Sequence, residues 1–277
     1  MKTVRKILLA SAALALTAGL AAPAGAVGDD AALEAFLKTA SILDSVQLGG
    51  PDATSRPWKL TLEKDGLKHF ALWKNIDTDE FGAPDRWRYE IAAYRFDRLL
   101  ELGGVPPTVE RRFNGEKGSL QLWIDDTVTL KKKTEAGDVL PAERRPEWNR
   151  AAYLERAFDS LIADSDRNAN NILVTADWRT ILIDHSRSFR TDKPYRESLL
   201  FGAGGLMKGP DGNTLTFLPL PRSFVERLKA LDFETVKGAL KPYLTDKEIR
   251  AALARAGLIV REIEETIRTG GEAQVLY

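Results

Sequence analysis

The sequence contains no cysteine. That excludes disulfides, a thiolate nucleophile, thiolate metal sites and a cysteine-linked lipid anchor. Histidine occurs only twice, at His69 and His185, which also excludes a centre built from several imidazoles. An excess of one charge is missing too, since 40 Lys and Arg balance 40 Asp and Glu. A nucleic-acid partner would need a clustered basic face, and the short runs Lys131-Lys132-Lys133 and Arg144-Arg145 read as solvated loops. Internal repeats and low-complexity segments are absent beyond residue 26. What is present is ordinary globular composition, with 44% apolar and 29% charged residues in a chain of 277. That length suits one large domain or two smaller lobes sharing a cleft, with a core that can stand without disulfides.

The one long apolar run is at the start. Lys2, Arg5 and Lys6 precede an apolar stretch over residues 7–22, and Pro23 leads to Ala24-Gly25-Ala26. Basic flank, apolar middle and small-residue cleavage site form the three-part layout of a secretory signal peptide over residues 1–26. The run falls short of the roughly 20 residues that span a bilayer comfortably, and an uncleaved anchor is the alternative. The expectation is an exported protein, periplasmic or secreted, with a slightly acidic mature chain from Val27 and no membrane span.

Further on, apolar spacing predicts a helix over residues 29–45, broken by Gly49-Gly50-Pro51. Trp58, Leu60 and Leu62 alternate with Lys59 and Thr61, and residues 68–74 alternate again after Lys64-Asp65-Gly66, which predicts a β-hairpin. A second break at 77–85 precedes a helix over about 86–102, then strands at 108–113 and 119–124 around Asn114-Gly115. Residues 125–147 are charged and irregular. The remainder reads as helices near 148–163, 221–231, 233–240, 245–255 and 257–269, interrupted by short strands at 172–175 and 180–183. A β-rich part followed by a larger helical part predicts an α+β fold of two lobes, residues 27–126 and 127–277, meeting near 125–130.

Chemistry concentrates in Asp164-Ser165-Asp166-Arg167-Asn168-Ala169-Asn170-Asn171 and in Asp184 at the end of the next apolar strand. An Asp, an Asn five residues later and a second Asp beyond a hairpin is the catalytic-loop spacing of kinases. Asp166 would orient or deprotonate an acceptor hydroxyl, while Asn171 and Asp184 would offer oxygen ligands to magnesium. Two other readings fit the same residues. One is a plain polar turn. The other is a calcium loop using Asp164, Asp166 and Asn168, although Ala169 and Thr175 stand where an EF-hand needs glycine and a bidentate Glu. Upstream, Lys74 shares a strand face with Phe70 and Leu72, and the next helix offers Glu90. A kinase pairs such a lysine and glutamate to hold phosphates; an exposed edge lysine and a first-turn acid favoured by the helix dipole are the alternatives.

In combination these motifs resemble the phosphatidylinositol 3-/4-kinase-like branch of the kinase superfamily, in its small bacterial members. Thr54-Ser55-Arg56-Pro57-Trp58 and Ala71-Leu72-Trp73-Lys74 are similar to its phosphate-binding hairpin, and Asp166-Arg167-Asn168 to its Asp-Arg-His loop. Glu90-Ile91-Ala92-Ala93-Tyr94, Gly104-Val105-Pro106-Pro107-Thr108 and Gly118-Ser119-Leu120-Gln121-Leu122-Trp123 carry the rest, so the resemblance covers about residues 48–265. It implies an ATP- and Mg2+-dependent transferase with an unknown acceptor: protein, lipid, sugar or small metabolite. Ser55, Lys74 and Glu90 would serve the phosphates, Gln121, Trp123, Ile124 and Asp125 the adenine, Asp166 the acceptor, and Asn171 with Asp184 the metal. Asn168 departs from the usual His, and Asp184-His185-Ser186 from Asp-Phe-Gly. Those departures, with export to a compartment poor in ATP, leave a degenerate pseudokinase-like binding module as the second expectation.

Overall fold

A computed structural model describes residues 27–49, 56–80 and 82–277. The leader at 1–26 and Ser55 lie outside the described residues. Helix α1 (Val27–Thr39) is followed by β1 (Ser41–Gln47), β2 (Trp58–Lys64) and β3 (Leu67–Lys74). The hairpin β4 (Asp77–Glu80) and β5 (Ala83–Arg86) leads into α2 (Trp87–Leu99), then β6 (Thr108–Phe113) and β7 (Glu116–Leu122). Strand β8 (Thr127–Thr129), α3 (Leu130–Glu135), α4 (Arg145–Ile162), β9 (Ile172–Thr175) and β10 (Thr180–Leu182) come next. The chain finishes with α5 (Lys193–Glu197), α6 (Arg222–Ala230), α7 (Phe233–Leu240) and α8 (Asp246–Gly270).

The first lobe is an antiparallel sheet in the order β1-β2-β3-β7-β6. Its period-two pattern turns Leu60, Leu62, Ala71, Trp73 and Leu120 onto one face, where Phe36 and Leu37 of α1 cover them. Arg111 on β6 donates to the carbonyls of Leu37 and Ala40, satisfying the end of α1. Leu72 and Lys74 are thereby left on the opposite face. Strands β3 and β7 approach closely at Gly118, where an added Cβ would lie 2.3 Å from the Lys74 carbonyl oxygen. Only glycine fits there, and that contact fixes where β3 ends.

The second lobe is helical, and its core runs from α2 through α4, α6, α7 and α8. Helix α2 therefore belongs to the large core although it precedes two of the five strands of the sheet in the chain. A capping box between Thr245 and Glu248 starts α8, and Tyr89 of α2 donates to the same Glu248. Among the described residues no helix is long and apolar enough to cross a membrane.

Four stretches differ from the sequence expectations, the first being 125–147, expected to be irregular, which holds β8, α3 and the start of α4. The helix expected over 29–45 stops at Thr39, and residues 41–47 pair with β2 as an edge strand. Ile42 and Val46 are β-branched and gain a ladder there, which outweighs their apolar spacing. The break at 77–85 is the β4–β5 hairpin. The helices expected at 245–255 and 257–269 are one, α8, in which Gly257 is tolerated mid-helix.

Candidate functional site

The end of β3, the first turn of α2 and the segment after β10 converge on Lys74. Its Nζ donates to Glu90 Oε1 and to Asp184 Oδ1, both at 2.6 Å. The second oxygen of Glu90 accepts the His185 backbone N–H at 3.0 Å. One buried carboxylate thus joins a sheet strand, a helix and the loop that carries Asp184. Burial alone would lower the pKa of Lys74, yet the Asp184 and Glu90 carboxylates outweigh it and hold the ammonium above the ordinary lysine value. Burial would likewise raise Glu90, and Lys74 beside it reverses the sign, keeping Glu90 ionised. Asp184 has φ 62°, a left-handed conformation that aspartate tolerates through local hydrogen bonding. The sequence expectation of a Lys74–Glu90 pair matches this geometry.

The loop after α4 starts with Ala163 in the left-handed region, φ 54°, which ends the helix. Arg167 then braces the loop from inside. It contacts Asp159 at 3.0 Å and Asp164 at 2.9 Å, and donates to the carbonyls of Asn171 at 2.9 Å and Ile183 at 2.7 Å. Burial pushes Asp164 up to about 6 although Arg167 opposes that. Asp164 Oδ1 accepts the Asp166 N–H, and Asn171 Nδ2 donates to the Asp166 carbonyl. The Asp166 side chain itself stays 46% exposed, facing Arg187 at 3.7 Å. Burial raises its pKa, with Arg187 pulling down and Asp184 and Asp85 pushing up.

This bracing disposes of the calcium-loop reading. Both oxygens of Asp164 are taken by the Asp166 amide and Arg167, so Asp164, Asp166 and Asn168 do not converge. Among the described residues no group of three or more His, Asp or Glu is placed to hold a metal. A kinase-type site requires fewer protein ligands, because phosphates supply the rest. Asp184 and Asn171 fit that requirement. Asp184 turns Oδ1 to Lys74 and keeps a side chain 39% exposed, and Asn171 has its amide nitrogen engaged, which leaves its carbonyl oxygen as the acceptor.

On the face of the sheet that carries Leu72, a 190 Å³ cavity is lined mainly by Leu72, Trp123, Ile124, Val128, Leu173 and Ile183, with Lys132 also at its wall. Its volume and mostly apolar walls suit a heterocyclic base. Of the four residues expected at adenine, Gln121, Trp123 and Ile124 line it, and the exposed Asp125 does not. Gln121 spends its amide on Thr108 at 3.1 Å, so it shapes the wall. Lys74 itself lines a larger hollow of 550 Å³ with Arg56, Trp58, Asn75 and Glu116 at the strand ends, and Asp166, Asn171 and Asp184 line neither space. Arg187 and Asp85 were missed in the sequence because they stand 102 residues apart, and Arg167 and Asp159 because their pairing spans the end of a helix and follows no helical spacing. One signal was available: Asp159 sits among Phe158, Leu161 and Ile162 on the buried part of α4, where a carboxylate needs a cation.

No family model and no curated protein matches the sequence. Among solved structures, the fold is similar to that of a Helicobacter pylori protein described as the proinflammatory kinase CtkA, with a TM-score of 0.56 at 11% identity. The match covers 87% of this chain and 98% of that one. At that identity the likeness concerns the fold alone, which is two-lobed and kinase-like.

Proposed function

We propose that this protein is an exported, Mg-ATP-dependent phosphotransferase acting on a hydroxyl, of the kind found in the phosphatidylinositol 3-/4-kinase-like branch. The observation that carries the reading is Lys74 bridging Glu90 and Asp184 at 2.6 Å, on the strand whose Leu72 lines a mostly apolar cavity of 190 Å³. In this reading the cavity takes the base and Lys74 turns to the phosphates while Glu90 holds it in line. Asp184 and Asn171 would hold magnesium, which supplies charge neutralisation between the phosphates. Asp166 orients the acceptor hydroxyl and takes its proton. The acceptor oxygen bonds to the terminal phosphorus, the bond from that phosphorus to the bridging oxygen breaks, and ADP leaves with the electron pair. Positioning and electrostatics then account for most of the rate. Export would follow from the leader at 1–26.

The binding-module reading is favoured by one observation. Asn168 folds both polar atoms into its own loop, donating to the Asp166 carbonyl and accepting from the Asn170 amide, both at 2.9 Å. A single experiment separates the readings. Melting is followed with a non-hydrolysable ATP analogue, with and without magnesium, alongside release of ADP from Mg-ATP. Magnesium-dependent stabilisation with turnover supports the transferase, since a ligand that binds only the native state must raise its melting temperature. Stabilisation without turnover supports the binding module, and no stabilisation overturns both nucleotide readings.

A further inference from the structure

The loop beyond Asp184 carries a cation on the open side of Asp166. Arg187 Nε donates to Asp85 Oδ2 at 3.1 Å, and its Nη1 lies 3.7 Å from Asp166 Oδ2. Asp85 is on β5, 4% exposed, and its Oδ1 has no hydrogen-bond partner. A buried carboxylate is costly unless a cation compensates it, so Asp85 in turn holds the guanidinium. The main chain is fixed from the same side, because the Arg86 N–H donates to the Ser186 carbonyl at 2.8 Å. Hairpin β4–β5 therefore pins both the backbone and the side chain of this loop.

Two other cations near the site are held by carboxylates on its inner side. Arg167 is 6% exposed and spent on two carboxylates and two carbonyls inside the loop. Lys74 serves Glu90 and Asp184. Asn168 carries no charge and is folded into its own turn. Asp166 meanwhile feels two further carboxylates, Asp184 and Asp85, with Arg187 as the opposing charge on its exposed side.

We propose that Arg187 neutralises the phosphoryl group in transit, with Asp85 as its positioning residue, an inference that rests on the transferase reading above. Negative charge spreads over the equatorial oxygens as the acceptor bond forms and the bridging bond breaks. A planar guanidinium meets two such oxygens at once and stays charged throughout. Arginines acting in this way accelerate phosphoryl transfer by about 10³–10⁵-fold.

The test is an equilibrium one and needs no acceptor. Binding of Mg-ADP is measured with and without aluminium fluoride, which imitates the phosphoryl group in flight. The full mature protein is expected to bind at least about tenfold tighter with fluoride, a conservative figure for a transition-state mimic. Arg187→Gln should keep Mg-ADP affinity within about threefold and lose that gain, because the lost contact exists only in the transition state. Arg187→Lys should retain part of the gain, and Asp85→Asn should reduce it less than Arg187→Gln does. A fluoride gain that survives in Arg187→Gln, or is missing from the parent while Mg-ADP binds, overturns the assignment of Arg187. Failure of the parent to bind Mg-ADP at all overturns the transferase reading itself, and the inference with it.

Discussion

The cleft has a closed end and an open end, with Asp184 between them. At the closed end the Lys74 and Glu90 side chains are 10% and 3% exposed and meet at 2.6 Å. At the open end the Asp166 side chain is 46% exposed and its cation stands off at 3.7 Å. The closed end belongs to the packed framework, since Glu90 lies in the helix that anchors the large core. The open end is loop backbone steadied from beneath by Arg167. A position that holds a ligand can be made part of the core, whereas a position that reacts must stay reachable. The same kind of substitution should therefore act on stability at one end and on chemistry at the other.

The largest effect is expected from Lys74→Met. It leaves the Glu90 charge buried without its partner, which costs about 3–5 kcal/mol in urea unfolding at neutral pH. The pH dependence should change sign. In the parent, Glu90 has a folded pKa below its unfolded value of about 4.3, so its contribution is full above that value and fades only as pH falls through the folded one. Without Lys74, burial raises the folded pKa, and the variant loses stability as pH climbs above about 4.3. Unfolding at pH 7 and pH 4.5 checks this, and adding Glu90→Gln should restore much of the loss at pH 7. Equal destabilisation at both pH values would mean that the pair is not what holds this end.

Next come Asp184→Asn and Asp166→Asn, which test the boundary between the two ends. Asp184→Asn should abolish the magnesium-dependent part of nucleotide stabilisation, because a charged oxygen ligand is gone. Asp166→Asn should keep that stabilisation and lower turnover by about 10²–10⁴-fold, the usual worth of a general base. Calorimetric binding with and without magnesium, beside ADP release, separates the two. Identical behaviour of both variants would erase the distinction between holding and reacting.

Much of the site was legible in the sequence because its parts sit on regular spacings. Lys74 at the end of an alternating strand and Glu90 in the next helix follow from local periodicity, whereas Asp166, Asn171 and Asp184 were picked out by a kinase-type motif spacing and by the resemblance. The two-lobed order of strands and helices was legible from that periodicity. What was not legible depends on contacts that follow no regular spacing. Arg167 reaches back to Asp159, Arg187 crosses to Asp85 from 102 residues away, and Arg255 on α8 donates to the Leu161, Arg190 and Tyr195 carbonyls. No periodicity announces such pairs. Strand β1 was hidden for a different reason: its apolar positions suit a helix, and only the waiting edge of β2 decides in favour of a strand.

A last test concerns Glu155, a half-buried carboxylate without a dedicated cation, where partial exposure tempers the effect. Glu155 lies one turn before Asp159 on α4 and lines a 150 Å³ cavity with Leu102, Leu154, Phe158 and Leu182. Burial pushes its pKa up to about 8, and Asp159 adds to that against Arg167 and Arg156. Arg167 cannot serve it as Lys74 serves Glu90, because that guanidinium is already shared between Asp159 and Asp164. Between the unfolded value near 4.3 and the folded value near 8, the native state binds more protons, so stability falls as pH rises through that window. Glu155→Gln removes the titration while keeping the shape. Its melting temperature should match the parent at pH 5 and exceed it at pH 8 by about 2–4 °C for each kcal/mol relieved. A lower melting temperature at both pH values would show that the charged oxygen makes a contact that stabilises the fold, and burial of Glu155 would then resemble that of Glu90.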